Sequence, residues 1–458
     1  MWHRTIGAVA GLTLMAGAGM LVAPASSATV TAGPALAARV AVATPFSVVM
    51  GGAHWSQAPT TGQCIKSTGL ACYRPSQFQQ AYDLNPLYAM HLNGHGRTII
   101  LVDSYGSPTI QSDLATFDTE FKLPAPPDFT VLQPVGKVPP FDPTNPVMVN
   151  WAVETSLDVE YSHAMAPGAN IVLLETPVAE TEGTTGFPQI VAAENFAINH
   201  HLGDVISQSF GATEQTFPSV SSIDKLRSAY INADLNNVTV LASSGDTGVS
   251  NYRLNGTALY THRVVAWPSS DPLVTSVGGL QLHLNGKGDM TMPDNVWNET
   301  YLFGSATAGS GGSSSVFARP SYQSGVRKIV GLHRGTPDIS LSASVNGGAL
   351  VYMSFGGLPG PGFYIVGGTS EASPEFAGIV AIADQAAGHD LGLLNPALYT
   401  IGSGGAGIPD VNIGNNTVTF SQNNRAHTVD GYNAGTGYDM ASGLGTVDGA
   451  KLVAALAQ

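Results

Sequence analysis

Thr98-Ile99-Ile100-Leu101-Val102 is a run of β-type residues with no polar position after the first. A strand with one wet face alternates apolar and polar side chains, so an unbroken apolar run predicts a strand covered on both sides. Four further stretches, 171–174, 205–207, 239–242 and 273–277, read the same way. Helical stretches separate them, among them 188–201 and 223–235. Short buried strands alternating with helices predict an α/β fold with a mainly parallel central sheet and helices on both faces. The Gly/Ser-rich stretch 304–315 lies between strand-like segments and reads as a long surface loop rather than a linker.

The chain has 458 residues, 43% of them hydrophobic, which is enough for a sizeable core. Only 11% are charged, and 32 acidic against 18 basic side chains leave a net charge of −14. That balance argues against nucleic acid or an anionic membrane surface as a partner. Few charges also limit self-repulsion when carboxylates protonate, which suits acidic surroundings. At the start of the chain, His3 and Arg4 precede an apolar run over 6–22 and then small residues up to Ala28. This predicts an export signal over 1–28, cleaved near Ala28, and a secreted monomer with no membrane anchor. Residues 29–71 read as a leader or linker, and 72–458 as the main domain. The two cysteines, Cys64 and Cys72, most simply pair with one another in an exported chain, pinning a small loop ahead of that domain.

Chemistry concentrates at three places. Gly367-Gly368-Thr369-Ser370-Glu371-Ala372-Ser373-Pro374 delivers Ser370 to a helix start, where free backbone N–H groups can face an oxyanion. On this local pattern alone an ordinary N-cap is the commoner role. A helix is expected over 148–165, with an apolar stripe of Val153, Leu157, Tyr161 and Ala164. Its other face carries Trp151, Glu154, Thr155 and Asp158, so Glu154 and Asp158 point the same way one turn apart. Such a pair is usually a solvated acidic face, but the Trp and the apolar flanks here imply burial. Asp246, in Ser243-Ser244-Gly245-Asp246-Thr247-Gly248, follows a strand end, where ligand sites of parallel sheets cluster and turn-forming Asp residues are also common.

Gly368-Thr369-Ser370 with Ser373-Pro374, Glu154-x-x-x-Asp158 and Ser244-Gly245-Asp246-x-Gly248 together resemble the sedolisins, the serine-carboxyl peptidases. The segments Ala166-Pro167-Gly168-Ala169, Pro268-Ser269-Ser270-Asp271-Pro272 and Pro337-Asp338-Ile339-Ser340 follow in the same order. The resemblance implies a subtilisin-like fold. Ser370 is then the nucleophile, Glu154 its general base, Asp158 the partner that orients Glu154, and Asp246 the oxyanion donor. Ser209, Phe210 and Gly211 would line the cleft and pair with the backbone of a protein or peptide substrate. Phe210 stands where the family carries a Trp, and brings no indole N–H to the acidic network. The resemblance further implies one structural Ca²⁺, held by Asp410 and Asp439 side chains and by carbonyls of Val411, Gly435 and Gly437. About 40 residues between the signal and the first family-like segment are too few for the long folded propeptide typical of the family.

The function expected is hydrolysis of peptide bonds at acidic pH through an acyl-enzyme. Two other readings stay open: a catalytically silent peptide-binding protein on the same fold, and a subtilisin-type enzyme using Asp103 at the end of the 98–102 run. For the second, no histidine motif follows Asp103, and His163 falls too late in its helix.

Overall fold

The computed structural model describes residues 47–50 and 53–458, so the export signal read at 1–28 lies outside it. In chain order the elements that position the site are β1 (Val48–Val49), α1 (Thr61–Thr68), β2 (Cys72–Tyr73), α2 (Pro75–Ala81), β3 (Thr98–Ser104), α3 (Ile110–Phe121), β4 (Phe129–Leu132), α4 (Pro146–Met165), β5 (Asn170–Thr176), α5 (Phe187–Asn199), β6 (Val205–Gln208), α6 (Ser228–Leu235), β7 (Thr239–Ser243), β8 (Thr275–Gln281), β9 (Asn295–Val296), β10 (Ile339–Ser342), β11 (Gly348–Met353), β12 (Gly362–Gly367) and α7 (Thr369–Ala387).

The central sheet runs β9-β8-β7-β6-β3-β5-β4, with β10 also against β8. All its pairings are parallel except that of the short edge strand β9. Alternate residues of the apolar runs feed two different cores. Ile99 and Leu101 of β3 join Ile171, Leu173, Val205 and Leu241 under α4 and α7, whereas Ile100 and Val102 join Val172, Leu174, Ile206 and Val240 under α5 and α6. Both faces are therefore dry, which is why these strands show no alternation in sequence. The expected α/β architecture is present.

Helix α4 begins two residues before the expected start, with Asn145 accepting from the Val147 N–H and Pro146 at the first helical position. It has no wet face, because residues 151–165 are all buried between the sheet, α3, β11 and α7. Three expectations need correction. Helix 223–235 is two helices, Val220–Leu226 and α6, joined at Arg227. The strand expected over 273–277 starts at Thr275, because the Asp271 turn still holds the Val274 N–H. The stretch 304–315 is no surface loop: residues 306–312 are buried, with Ala308 N–H donating to Asp246 O and Ser310 N–H to Gly245 O.

The folded body also starts earlier than residue 72. Cys64 on α1 and Cys72 on β2 form the expected disulfide. Upstream, β1 pairs antiparallel with β12, Val48 opposite Gly367 and Val49 opposite Val366, and Trp55 bridges to Phe363. No helix among the described residues is long and apolar enough to cross a membrane.

Candidate active site

Gly368 adopts φ +115° and ψ 161°, a conformation essentially closed to side-chain-bearing residues, and it turns β12 sharply into α7. Ser370 is thus the second residue of the helix rather than its cap. It is fully buried, and its hydroxyl donates to Ser209 O at 3.3 Å.

Glu154 and Asp158 are both fully buried. Burial pushes the Glu154 pKa well up; the nearby Ser370 and Ser47 hydroxyls pull it down, and the charges of Asp103 and Asp246 raise it further. Neither Glu154 oxygen has a partner in good hydrogen-bond geometry, so those hydroxyls are neighbours rather than tight donors. Asp158 accepts from Ser209 Oγ at 2.8 Å and leaves its other oxygen unpartnered. Burial, then the charges of Asp103 and Glu154, push Asp158 well up. Asp158 interacts with Glu154, and Glu154 with Ser370, so the protons belong to the set rather than to either acid.

Asp246 reaches the same place from the loop after β7. Its Oδ1 accepts from both the N–H and the hydroxyl of Thr369, each at 2.8 Å, while Oδ2 has no partner. Burial pushes its pKa to about 8, against the lowering effect of Thr369. With Oδ1 filled by donors, a proton on this carboxyl sits on Oδ2, where it is free to be donated.

Asp103, at the end of β3, is a fourth buried acid in contact with this set. Burial, opposed by the Thr155 hydroxyl and supported by the Glu175 charge, lifts it to about 7. It is no subtilisin-type triad member, since His163 is committed to Asp118 and Pro124 O on the other end of α4. Ser209 lies at the centre, touching both Ser370 and Asp158. The ring of Phe210 is fully buried against Trp151 and Phe187, with its centroid 6.1 Å and 6.2 Å from theirs. Gly211 is buried beside it.

Ser47 went unrecognised in the sequence, where it sits in a stretch with no period or motif. It lines, with Val48, Asp246, Thr247 and Asn251, a cavity of about 650 Å³. β1 pairs with the strand leading into Ser370, which brings this arm to the site.

At the far end, Asp410 accepts from Ser403 Oγ at 2.8 Å and Gly437 N–H at 3.1 Å, and Asp439 from Gly435 N–H at 2.9 Å. Ser442 Oγ ties Asp439 to Val411 O. The five residues expected to bind calcium are thus neighbours, and their donors are all hard oxygens. Only two are carboxylates, so backbone carbonyls would have to complete any shell.

A family model described as the subtilase family matches residues 150–397. Kumamolisin of Bacillus sp. (strain MN-32) is 30% identical over 405 residues, 85% of this chain and 65% of kumamolisin. Sedolisin of Pseudomonas sp. (strain 101) is 34% identical over 274 residues, 59% of this chain and 43% of sedolisin. The chain therefore spans just under two thirds of the one and less than half of the other. A solved structure of Pseudomonas sedolisin, a serine-carboxyl proteinase complexed with two molecules of pseudo-iodotyrostatin, superposes with a TM-score of 0.66 at 27% identity, covering 84% of this chain and 98% of that one.

Proposed function

Because this chain belongs to the subtilase family and, within it, to the sedolisins, we propose that it is a secreted serine-carboxyl peptidase that hydrolyses peptide bonds in proteins at acidic pH. The observation that supports this reading is the grouping of buried acids about the buried Ser370 hydroxyl: Glu154 beside it, Asp158 next to Glu154, and Asp246 bonded to the adjoining Thr369. A binding protein gains nothing from burying several acids together, since each pays a desolvation cost.

Ser370 Oγ attacks the scissile carbonyl as Glu154 takes its proton. Asp158, fixed by Ser209, holds Glu154 in place and shares its charge. Asp246 donates its Oδ2 proton to the oxygen that becomes negative. Glu154 then protonates the leaving amine, and water hydrolyses the ester at Ser370 by the same steps in reverse. Glu154 must be ionised and Asp246 protonated at once, so activity is expected to fall at high pH as Asp246 loses its proton near 8, and at low pH as Glu154, itself raised by burial, takes one up. Incubation with denatured protein near pH 4, with masses of the products, tests this; an intact protein substrate would favour the silent binding protein.

A structural Ca²⁺ at Asp410 and Asp439, with carbonyls of Val411, Gly435 and Gly437, belongs to the same reading. It would cross-link two C-terminal loops. Strong chelator is expected to lower Tm by several degrees and Asp439→Ala to remove that response; a Tm indifferent to chelator would argue against the ion.

A further inference from the structure

A second acid-floored cavity, of about 170 Å³, lies beside the catalytic set and is lined by Tyr105, Gly106, Ser107, Phe141, Met148 and Glu175 among others. Glu175, the penultimate residue of β5, lies directly opposite Asp103 in the sheet register and is 7% exposed. Its carboxylate is held by Gln133 Nε2 at 2.8 Å. The backbone is shaped around this group. Gly106 has φ +72°, and a Cβ there would collide with the Glu175 carboxylate. Tyr105 takes φ +65°, a left-handed conformation unfavourable for a residue with a side chain. The Ser107 hydroxyl is buried in the same wall with no hydrogen-bond partner. A fixed carboxylate, a spare hydroxyl and the Tyr105 and Phe141 rings form the surroundings that accept an organic cation.

We propose that this pocket is a specificity subsite that takes the cationic side chain of a lysine or arginine in the peptide substrate. The inference rests on the peptidase reading. The pocket shares β3 and α4 with the catalytic acids. Met148 precedes Glu154 by six residues on α4, about 9 Å at the helical rise. An extended peptide advances about 3.3 Å per residue, so the basic side chain belongs two or three positions from the scissile bond.

The groups facing Glu175 are the Gln133 amide, the Ser107 hydroxyl, the Tyr105 phenol and, across the register, Asp103. Burial raises the Glu175 pKa, with Gln133 opposing. The carboxylate is therefore more fully charged as pH rises, and preference for a cation should strengthen in that direction.

The test compares kcat/KM for peptides that differ only in lysine against its neutral isostere norleucine, scanned over four positions on each side of the scissile bond. The wild type is expected to prefer lysine at one of these positions roughly tenfold or more at pH 6, and less at pH 4. In Glu175→Gln the lysine-to-norleucine ratio at that position should fall to within about twofold of unity at both pH values. A ratio equal in both proteins, or one that does not change with pH, overturns the subsite. Failure of the wild type to cut any peptide overturns the peptidase reading itself, and the subsite with it.

Discussion

Ser370→Ala is expected to reduce kcat on a peptide substrate on the order of 10⁶-fold while the protein stays folded. The size follows from the geometry. Among the described residues, Ser370 Oγ is the hydroxyl placed both beside Glu154 and one residue from Thr369, which binds Asp246. Without it, Glu154 has no nucleophile to activate, and what remains is the orientation of substrate and the donor at Asp246 Oδ2. The structural cost is small, because the hydroxyl makes one long bond, to Ser209 O at 3.3 Å. Net loss of such a bond is about 1 kcal/mol. A melting temperature within a few degrees of wild type, with turnover gone, is the expected pair of results. A variant that keeps more than a hundredth of wild-type kcat would remove Ser370 from the chemistry.

The second large effect is on stability. Burial holds Asp103 near 7 and Asp246, Glu182 and Glu194 near 8, while Glu154, Asp158, Glu180 and Glu371 are pushed well above the ordinary range. In each the folded pKa exceeds the unfolded one, so the folded state binds more protons at intermediate pH. The associated stability is fully present below about pH 4, the unfolded value, and is lost progressively as pH rises through the folded values. A carboxyl moved from 3.8 to about 8 corresponds to at most about 6 kcal/mol. Three such groups reach the whole stability of an ordinary domain, about 5–15 kcal/mol. Melting temperature is therefore expected to peak in the acid range and to fall by roughly 15 °C between pH 4 and pH 8. A curve rising toward neutrality would mean that these acids are solvated or paired in solution.

Much of this arrangement could be read before any coordinates, for identifiable reasons. The strands β3, β5, β6 and β7 are buried on both faces and therefore announce themselves as apolar runs. Glu154 and Asp158 share a face because helical spacing is fixed, whatever surrounds the helix. Other elements left no such trace. Strand β4 is short, only half-buried and at the sheet edge, so Phe129–Leu132 has no continuous apolar pattern. The stretch around Gly309 looks like loop composition, yet it is buried because its backbone, not its side chains, bonds to the Asp246 loop. Asp246 could be placed beside Ser370 only through the order of several motifs, since no local spacing links a loop after β7 to the start of α7. Ser47 was invisible: a lone serine in a leader-like stretch acquires meaning only when β1 pairs with β12 and carries it to Glu154. The direction of the Phe210 ring is illegible for the opposite reason, since proximity to Ser209 in sequence does not say which side of the strand end it takes.

The most direct measurement is kcat/KM against pH, from 3 to 9, for the wild type and for Glu154→Gln in protein shown to be folded at each point. Wild-type activity is expected on the acid side, fading as Asp246 loses its proton near 8. The Gln variant, equal in shape but unable to accept a proton, is expected to be at least about a thousandfold slower at every pH. Activity that peaks above neutrality, or a Gln variant within tenfold of wild type, would show that the Ser370 proton goes elsewhere.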